Sequence, residues 1–308
     1  MMLECIKEGF NLINRSWQLI LLRTVVAVIN LFIILLFIGV PAFIAVVSFG
    51  IDIAQTGDIF RGIISDPAEI LSKYLWIFAL LSLSLIVSVT VISIITLYTY
   101  GGIMGVLRNS ALNKQYKFSL ASFFNEAGSL FFPLFWLLSF GLCIAIGAVI
   151  FFGILTGIFI FIIRAYDGIQ STFSIFVVSF FALSLITLGI IGALGGLILT
   201  VYSVISLVVE RKGTIDSFKS AWNLLKNQPS GFLFYIIIFL GFIVINIILM
   251  IFGGVLSIIP LVGIAINIPY HLIYYVVQVY LNLVLWGALL VYYLKVKNRT
   301  DYNSMYDI

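Results

Sequence analysis

Charge is what this 308-residue chain has least of: Asp, Glu, Lys and Arg make up 9% of it, against 63% apolar residues and a mean hydropathy of +1.25. A soluble domain carries about a quarter charged residues, so there is too little polar side chain here to cover a water-facing surface. Histidine occurs once and cysteine twice. His271 has no Cys, Asp or Glu beside it and makes no metal site of ordinary ligand count. Cys5 and Cys143 lie far apart and form neither a disulfide framework nor a metal spacing. Both thiols are expected to be buried as small apolar residues. The chain implies no cofactor. Without a soluble domain to carry a groove-reading element, it implies no nucleic acid partner.

What is abundant is long apolar sequence. A bilayer crossing needs about 20 apolar residues, and six stretches reach that length: Leu19–Ile51, Tyr74–Leu107, Leu130–Ile163, Phe173–Val209, Phe232–Ile259 and Pro269–Leu294. The expected fold is therefore all-α: a polytopic membrane helical bundle with six transmembrane helices, forming one transmembrane domain over residues 1–308. Several stretches exceed the hydrocarbon core and must tilt, break or run along the interface. Breaks are expected at Gly39-Val40-Pro41 and Gly253-Gly254, and an interfacial turn or half-helix over Ser257–Asn267. Glu4, Lys7, Glu8 and Arg15 precede a first run too long for an h-region, so no cleavable signal peptide is expected.

Basic loops set orientation. Lys7, Arg15, Arg108, Lys114, Lys117, Arg211, Lys212, Lys219, Lys226, Lys295, Lys297 and Arg299 fall on one side. The other side holds Arg61, Lys73 and Arg164 beside Asp52, Asp58, Asp66, Glu69 and Asp167. Every loop agrees, which places both termini in the cytoplasm and the chain in the plasma or inner membrane.

An internal threefold repeat is also legible. Ile6-Lys7-Glu8-Gly9-Phe10-Asn11-Leu12-Ile13 resembles Phe218-Lys219-Ser220-Ala221-Trp222-Asn223-Leu224-Leu225, with a weaker middle copy at Leu120-Ala121-Ser122-Phe123-Phe124-Asn125. Apolar residues fall at helical spacing in each, which predicts three short amphipathic helices in the cytoplasmic interface, each followed by a membrane hairpin. Thr214 is expected to cap the third. The repeat units cover about 1–110, 111–212 and 213–297, parallel about an axis normal to the membrane.

The run Val201-Tyr202, Leu207-Val208-Val209-Glu210-Arg211-Lys212-Gly213 and Ile215-Asp216-Ser217-Phe218-Lys219-Ser220-Ala221-Trp222-Asn223-Leu224-Leu225-Lys226 resembles the signature of the glycerophosphodiester phosphodiesterase membrane-domain superfamily. That group includes six-span prokaryotic inner-membrane proteins. The resemblance implies six spans in one domain and no particular activity, since the superfamily has no settled molecular activity; the soluble phosphodiesterase whose fusions give the group its name is not expected here. The long third and fourth spans, joined through Arg164–Gly168, depart from the shorter versions expected of the group.

Tyr74–Leu107, Leu130–Ile163, Phe173–Val209 and Phe232–Leu294 contain no Asp, Glu, Lys or Arg. Intramembrane ionisable groups mark proton relays and ion paths, so their absence argues against proton-coupled or carboxylate-based transport. Asn246, Gln278 and Asn282 are polar within spans and either line a cavity or hydrogen-bond between helices. Gly153 with Gly157, and Gly192 with Gly196, are expected to pack within the protomer, and Gly101, Gly102 and Gly105 likewise. Tyr98, Tyr100, Tyr202, Tyr292 and Tyr293 are expected to form an aromatic belt. Arg211, Lys212, Lys219 and Lys226 either touch anionic lipid headgroups or serve only to set topology.

These features lead to the expectation of a non-enzymatic integral membrane protein with an accessory or scaffold role in the envelope, whose partners are membrane lipids. The competing expectation is passage of a neutral or lipidic solute. Orientation is directly testable: a fluorescent protein that folds only in the cytoplasm, fused after Ile308, should fluoresce, and an exported phosphatase fused there should stay inactive.

Overall fold

The computed structural model describes residues 1–49, 67–165, 172–257 and 262–306. Among the described residues the chain is all-α and contains no strand. In order, the elements are α1 (Met2–Arg15), α2 (Gln18–Ile34), a π segment (Leu35–Gly39), α3 (Val40–Phe49), α4 (Pro67–Leu112), α5 (Leu120–Ala165), α6 (Thr172–Glu210), α7 (Thr214–Asn227), α8 (Ser230–Ser257) and α9 (Val262–Tyr306). Six stretches of described helix are long and apolar enough to cross a membrane: Gln18–Ile44, Leu75–Leu112, Leu120–Phe159, Ser179–Glu210, Ser230–Val255 and Pro269–Asn298. The protein is a multi-pass membrane protein.

Helix is the natural state for such runs, because in hydrocarbon every backbone polar group must be satisfied within its own segment. The excess length is handled by overshoot. The 38 residues of Leu75–Leu112 reach about 57 Å at 1.5 Å per residue, against a hydrocarbon core of roughly 30 Å. The terminal turns stay helical and carry Arg108, Glu126, Glu210, Lys295 and Lys297.

Several local expectations need correction. The break before Pro41 takes the form of a π turn over Leu35–Gly39, in which the Val40 N–H bonds the Leu35 carbonyl. Widening the helix there accommodates a proline that cannot donate. Gly253-Gly254 does not break α8, which continues to Ser257. Gly253 instead makes room for Tyr270, whose ring fills the space that a Cβ at that position would need. The middle amphipathic segment is not a separate helix but the first turns of α5, which runs unbroken through Pro133. Thr214 is the first residue of α7 rather than its cap, which is Gly213. The Ser217 hydroxyl donates to the Gly213 carbonyl at 2.9 Å. In the Ser257–Asn267 segment, α9 has begun by Val262; residues 258–261 lie outside the described residues, as do Asp52, Asp58, Arg61, Asp66 and Asp167.

By internal contacts the chain divides into two compact units, Trp17–Tyr100 and Met1–Ser16 with Gly101–Ile308. In the first, two span threonines bond their own helices: Thr24 donates to Ile20 O at 2.9 Å and Thr90 to Ile86 O at 2.8 Å.

In the second unit the core gathers at one end of the long helices. Tyr202, Tyr292, Tyr293 and Phe234 are all buried there. The Phe234 and Tyr292 rings stack with centroids 4.5 Å apart. These tyrosines are core, not an aromatic belt, and each hydroxyl has a partner, as burial demands. Tyr202 donates to Gly231 O at 3.0 Å, Tyr292 pairs with the Ser230 hydroxyl at 2.9 Å, and Tyr293 donates to Glu210.

Each amphipathic segment packs on the end of a span. The buried face of α1, Cys5, Gly9, Leu12 and Ile13, lies against α9. Phe123, Glu126, Ala127 and Leu130 of α5 lie against Gly101, Gly102 and Gly105 of α4. Ser217, Ala221 and Leu225 are the buried residues of α7, which packs on α6. Under the sequence repeat, Gly9, Phe123 and Ala221 are equivalent, and all three are buried. Burial also pushes the Cys5 thiol up from its ordinary value, whereas Cys143, expected to be buried, is exposed on α5.

The outer glycines behave differently. A Cβ added at Gly153, Gly157, Gly192 or Gly196 would meet nothing within 4 Å, so among the described residues these glycines do not pack within the protomer. The surfaces around them are apolar and exposed: Phe161 is 73% and Leu183 65% exposed.

The contrast sets a test. A Cβ on Gly9 would sit 2.8 Å from the Ala288 nitrogen, and backbone cannot yield as a side chain can. Gly9→Ala should cost about 1–3 kcal/mol, visible as a lowered thermal midpoint in nanodiscs. Gly147→Ala, with nothing within 4 Å, should leave the midpoint unchanged.

Candidate functional site

The polar side chains of the second unit meet where α4, α6 and α9 end and where α1, α5 and α7 begin or lie. Three junctions hold them. At the first, α6 stops at Glu210 and Arg211 turns the chain with φ +52°. A left-handed residue with a Cβ costs roughly 1–2 kcal/mol, and the local contacts offset it. The Arg211 N–H still bonds Leu207 O at 2.9 Å. The Glu210 carboxylate, 5% exposed, collects donors on both oxygens. Lys212 Nζ sits 2.6 Å from Oε2, Lys297 Nζ 2.9 Å from Oε1, and the Tyr293 hydroxyl donates to Oε1 at 2.5 Å. The Ser220 hydroxyl approaches Oε2 at 3.4 Å. One carboxylate thus joins α6, α7 and α9.

At the second junction Glu126 plays the same part for α4, α5 and α6. Its oxygens accept from Arg211 Nη2 at 2.8 and 2.7 Å, and Asn109 Nδ2 donates to Oε1 at 3.0 Å. Gly105 makes the seat, since a Cβ there would lie 2.5 Å from the Glu126 Cβ. At the third, Arg15 of α1 wraps Ser110 at the end of α4. Its guanidinium donates to the Ser110 hydroxyl at 2.7 Å and to the Ser110 carbonyl, and reaches Lys114 O at 3.0 Å. Ser16 and Ser110 hydroxyls meet at 3.2 Å. Lys295 and Glu8 pair at 2.6 Å and tie α9 to α1.

Beside the first junction lies a cleft of ≈ 220 Å³. Its lining includes Glu210, Lys212, Ser220, Asn223, Asn227 and Lys297.

Of the residues singled out in the sequence, Arg211 and Lys212 are each tied to a carboxylate, while Lys219 and Lys226 are exposed on α7. The four therefore divide into two pairs instead of forming one patch. Asn246 and Gln278 are brought together between α8 and α9: Gln278 Nε2 donates to Asn246 Oδ1 at 2.9 Å and to the Tyr274 hydroxyl at 2.6 Å. Asn246 Nδ2 donates to Phe242 O at 2.8 Å. Asn282 is half-buried on α9. His271 is exposed, its ring edge-on to Tyr270. Among the described residues no three His, Cys, Asp or Glu side chains come together as a metal site would require.

Reading the sequence missed the carboxylates. Glu126 is the one charged residue between Lys117 and Arg164, and Glu210 ends a long uncharged run just before Arg211 and Lys212; that placement was the available signal. No family model matches the chain, and no curated protein or solved structure matches it.

Burial ranks the junctions. Glu210→Ala removes a 5% exposed carboxylate and leaves lysines facing a hydroxyl, which should cost about 2–4 kcal/mol. Glu8→Ala breaks a pair whose partners are 50% and 32% exposed and should cost about 0.5 kcal/mol or less. Thermal midpoints of the two variants in nanodiscs, measured at low and high salt, check the order.

Proposed function

We propose that this protein is a non-enzymatic integral membrane protein of the cell envelope, an accessory or scaffold that engages anionic lipid with its basic end, and that it belongs with the membrane-domain superfamily its sequence resembles. The observation that carries the reading is how the charges are divided at that end. Glu8, Glu126 and Glu210 are each held in ion pairs between helices. Lys7, Lys114, Lys117, Lys219 and Lys226 are exposed around them. A cationic rim at the headgroup level gains on the order of 1 kcal/mol per charge near anionic lipid. On this reading that rim is the cytoplasmic one.

The alternative, passage of a neutral or lipidic solute, asks Asn246, Gln278 and Asn282 to face a common space. The bond between Asn246 and Gln278 supports a packing role for those two.

Reconstitution tests the proposal. The protein's thermal midpoint should be higher in vesicles containing phosphatidylglycerol than in pure phosphatidylcholine, and the increment should shrink as salt is raised. Saturable turnover of a phospholipid or another phosphodiester by the purified protein would overturn it.

A further inference from the structure

The cleft beside Glu210 is an open one that sets polar side chains of α7, half-buried at Ser220 and exposed at Asn223 and Asn227, beside Tyr293, Val296 and Lys297 of α9. Ser220, Asn223 and Asn227 fall at spacings of three and four on α7, hence on one face, and all three line the cleft. Gln228 adds a further carboxamide, and Leu224 and Val296 supply apolar wall. The charged lining is two ammonium groups, Lys212 and Lys297, and the one carboxylate of Glu210 that they share. The chemistry is that of a site for a small anion bearing hydroxyl groups: ammonium for the anionic oxygen, carboxamides that donate and accept for the hydroxyls. At ≈ 220 Å³ the cleft falls below the roughly 300 Å³ at which pockets for drug-sized ligands begin, so the group it takes is no larger than a lipid headgroup.

The surroundings choose between a free anion and a lipid. On the adjoining flank of α7, Ile215 and Trp222 lie seven residues apart and are 60% and 58% exposed; Leu233, at the start of α8, is 58% exposed. A soluble phosphate needs none of these. An amphiphile does, because its acyl chains must leave the headgroup across an apolar surface. The cleft also lies at the last turn of α6 and beside Lys297, where the sixth apolar span, Pro269–Asn298, ends within α9. We infer that the cleft between α6, α7 and α9 binds a single glycerol-bearing anionic phospholipid. Lys212 and Lys297 hold its phosphoryl group, Asn223, Asn227 and Gln228 hold its glycerol hydroxyls, and its chains pass beside Trp222 and Ile215.

The inference rests on the lipid-engaging reading above and sharpens it to one place. Native mass spectrometry of the full chain, released from micelles doped with phosphatidylglycerol or phosphatidylcholine, measures the occupancy. The expected result is one retained phosphatidylglycerol and no matching retention of phosphatidylcholine. Asn223→Asp and Asn227→Asp keep the side-chain size and put a negative charge in the cleft. Each should weaken retention about tenfold, by losing an amide donor to a hydroxyl and adding a charge that repels the phosphoryl group, while Asn11→Asp, the repeat-equivalent position on α1, should stay within about twofold of the parent. Asn227→Leu narrows the cleft without adding charge and should also lower retention. Unchanged thermal midpoints establish that the variants fold. Equal loss in Asn11→Asp, or full retention in the three cleft variants, overturns the site while leaving a general preference for anionic lipid intact. Equal retention of phosphatidylcholine overturns the broader reading with it. Displacement of the lipid by glycerol 1-phosphate or inorganic phosphate at comparable concentration overturns the assignment to a lipid.

Discussion

The second unit depends on carboxylates shared between helix ends. Within hydrocarbon, apolar side chains gain nothing by leaving lipid for one another, so span association must come from close packing and polar links. The described outer halves of α5 and α6 offer little of either: the Phe159 and Phe181 rings meet at 4.8 Å, but the glycines are open and many large residues face outward. Cohesion is therefore concentrated at the other end. There Glu210 draws Lys212, Lys297 and Tyr293 together, and Glu126 draws Arg211 and Asn109. The lysines and Arg211 are about one-third to one-half exposed, so Coulombic attraction is softened by solvent. The carboxylates are nearly buried, and it is their need for donors that fixes the geometry. Even the left-handed backbone at Arg211 serves this end: leaving the helix sharply lets Arg211 reach Glu126 while Lys212 turns back to Glu210.

The repeat adds a second kind of order. Gly9 meets Ala288, and Phe123 meets Gly102. By the amphipathic repeat, Gly9 corresponds to Phe123. By the aromatic-small step that ends spans two and six, Tyr100-Gly101-Gly102 and Trp286-Gly287-Ala288, position 102 corresponds to 288. The two contacts are thus the same contact with bulk moved from one side to the other, small on small in one copy and Phe on Gly in the next. Each amphipathic segment sits on the span before it in sequence, α5 on α4 and α7 on α6. The first segment, α1, packs on α9.

The spans were legible because about twenty uncharged apolar residues admit one structure in a bilayer. What the sequence concealed is which way a residue faces once neighbours exist. Tyrosines near a span end read identically whether they greet headgroups or a core, and Tyr202 and Tyr292 face the core because Gly231 O and Ser230 stand opposite. Gly253-Gly254 reads as a break, but a glycine also admits a neighbour, and Tyr270 takes that space. Gly153 and Gly157 have the spacing of a packing face and, among the described residues, no helix against them. The middle amphipathic segment gave a weak repeat signal, and it is the one fused to its span, where Glu126 replaces the apolar Leu12. The candidate cleft was invisible because Ser220, Asn223 and Asn227 read only as a polar helix face, and nothing in the sequence sets Tyr293, Val296 and Lys297 of α9 beside them.

Fold and proposed activity share one set of charges, and that sharing explains how they are distributed. A polar end rich in lysine would repel itself and splay the helices that carry it. Placing the scarce carboxylates between helices pairs the nearest cations and leaves Lys7, Lys114, Lys117, Lys219 and Lys226 exposed. Glu210 then does two things at once. It pins α6 to α9, and by taking one contact from each of Lys212 and Lys297 it holds both ammonium groups on the wall of the same cleft. Two lysines held by one carboxylate are preorganised and still carry an excess positive charge, the condition under which a phosphoryl group gains most from their donors.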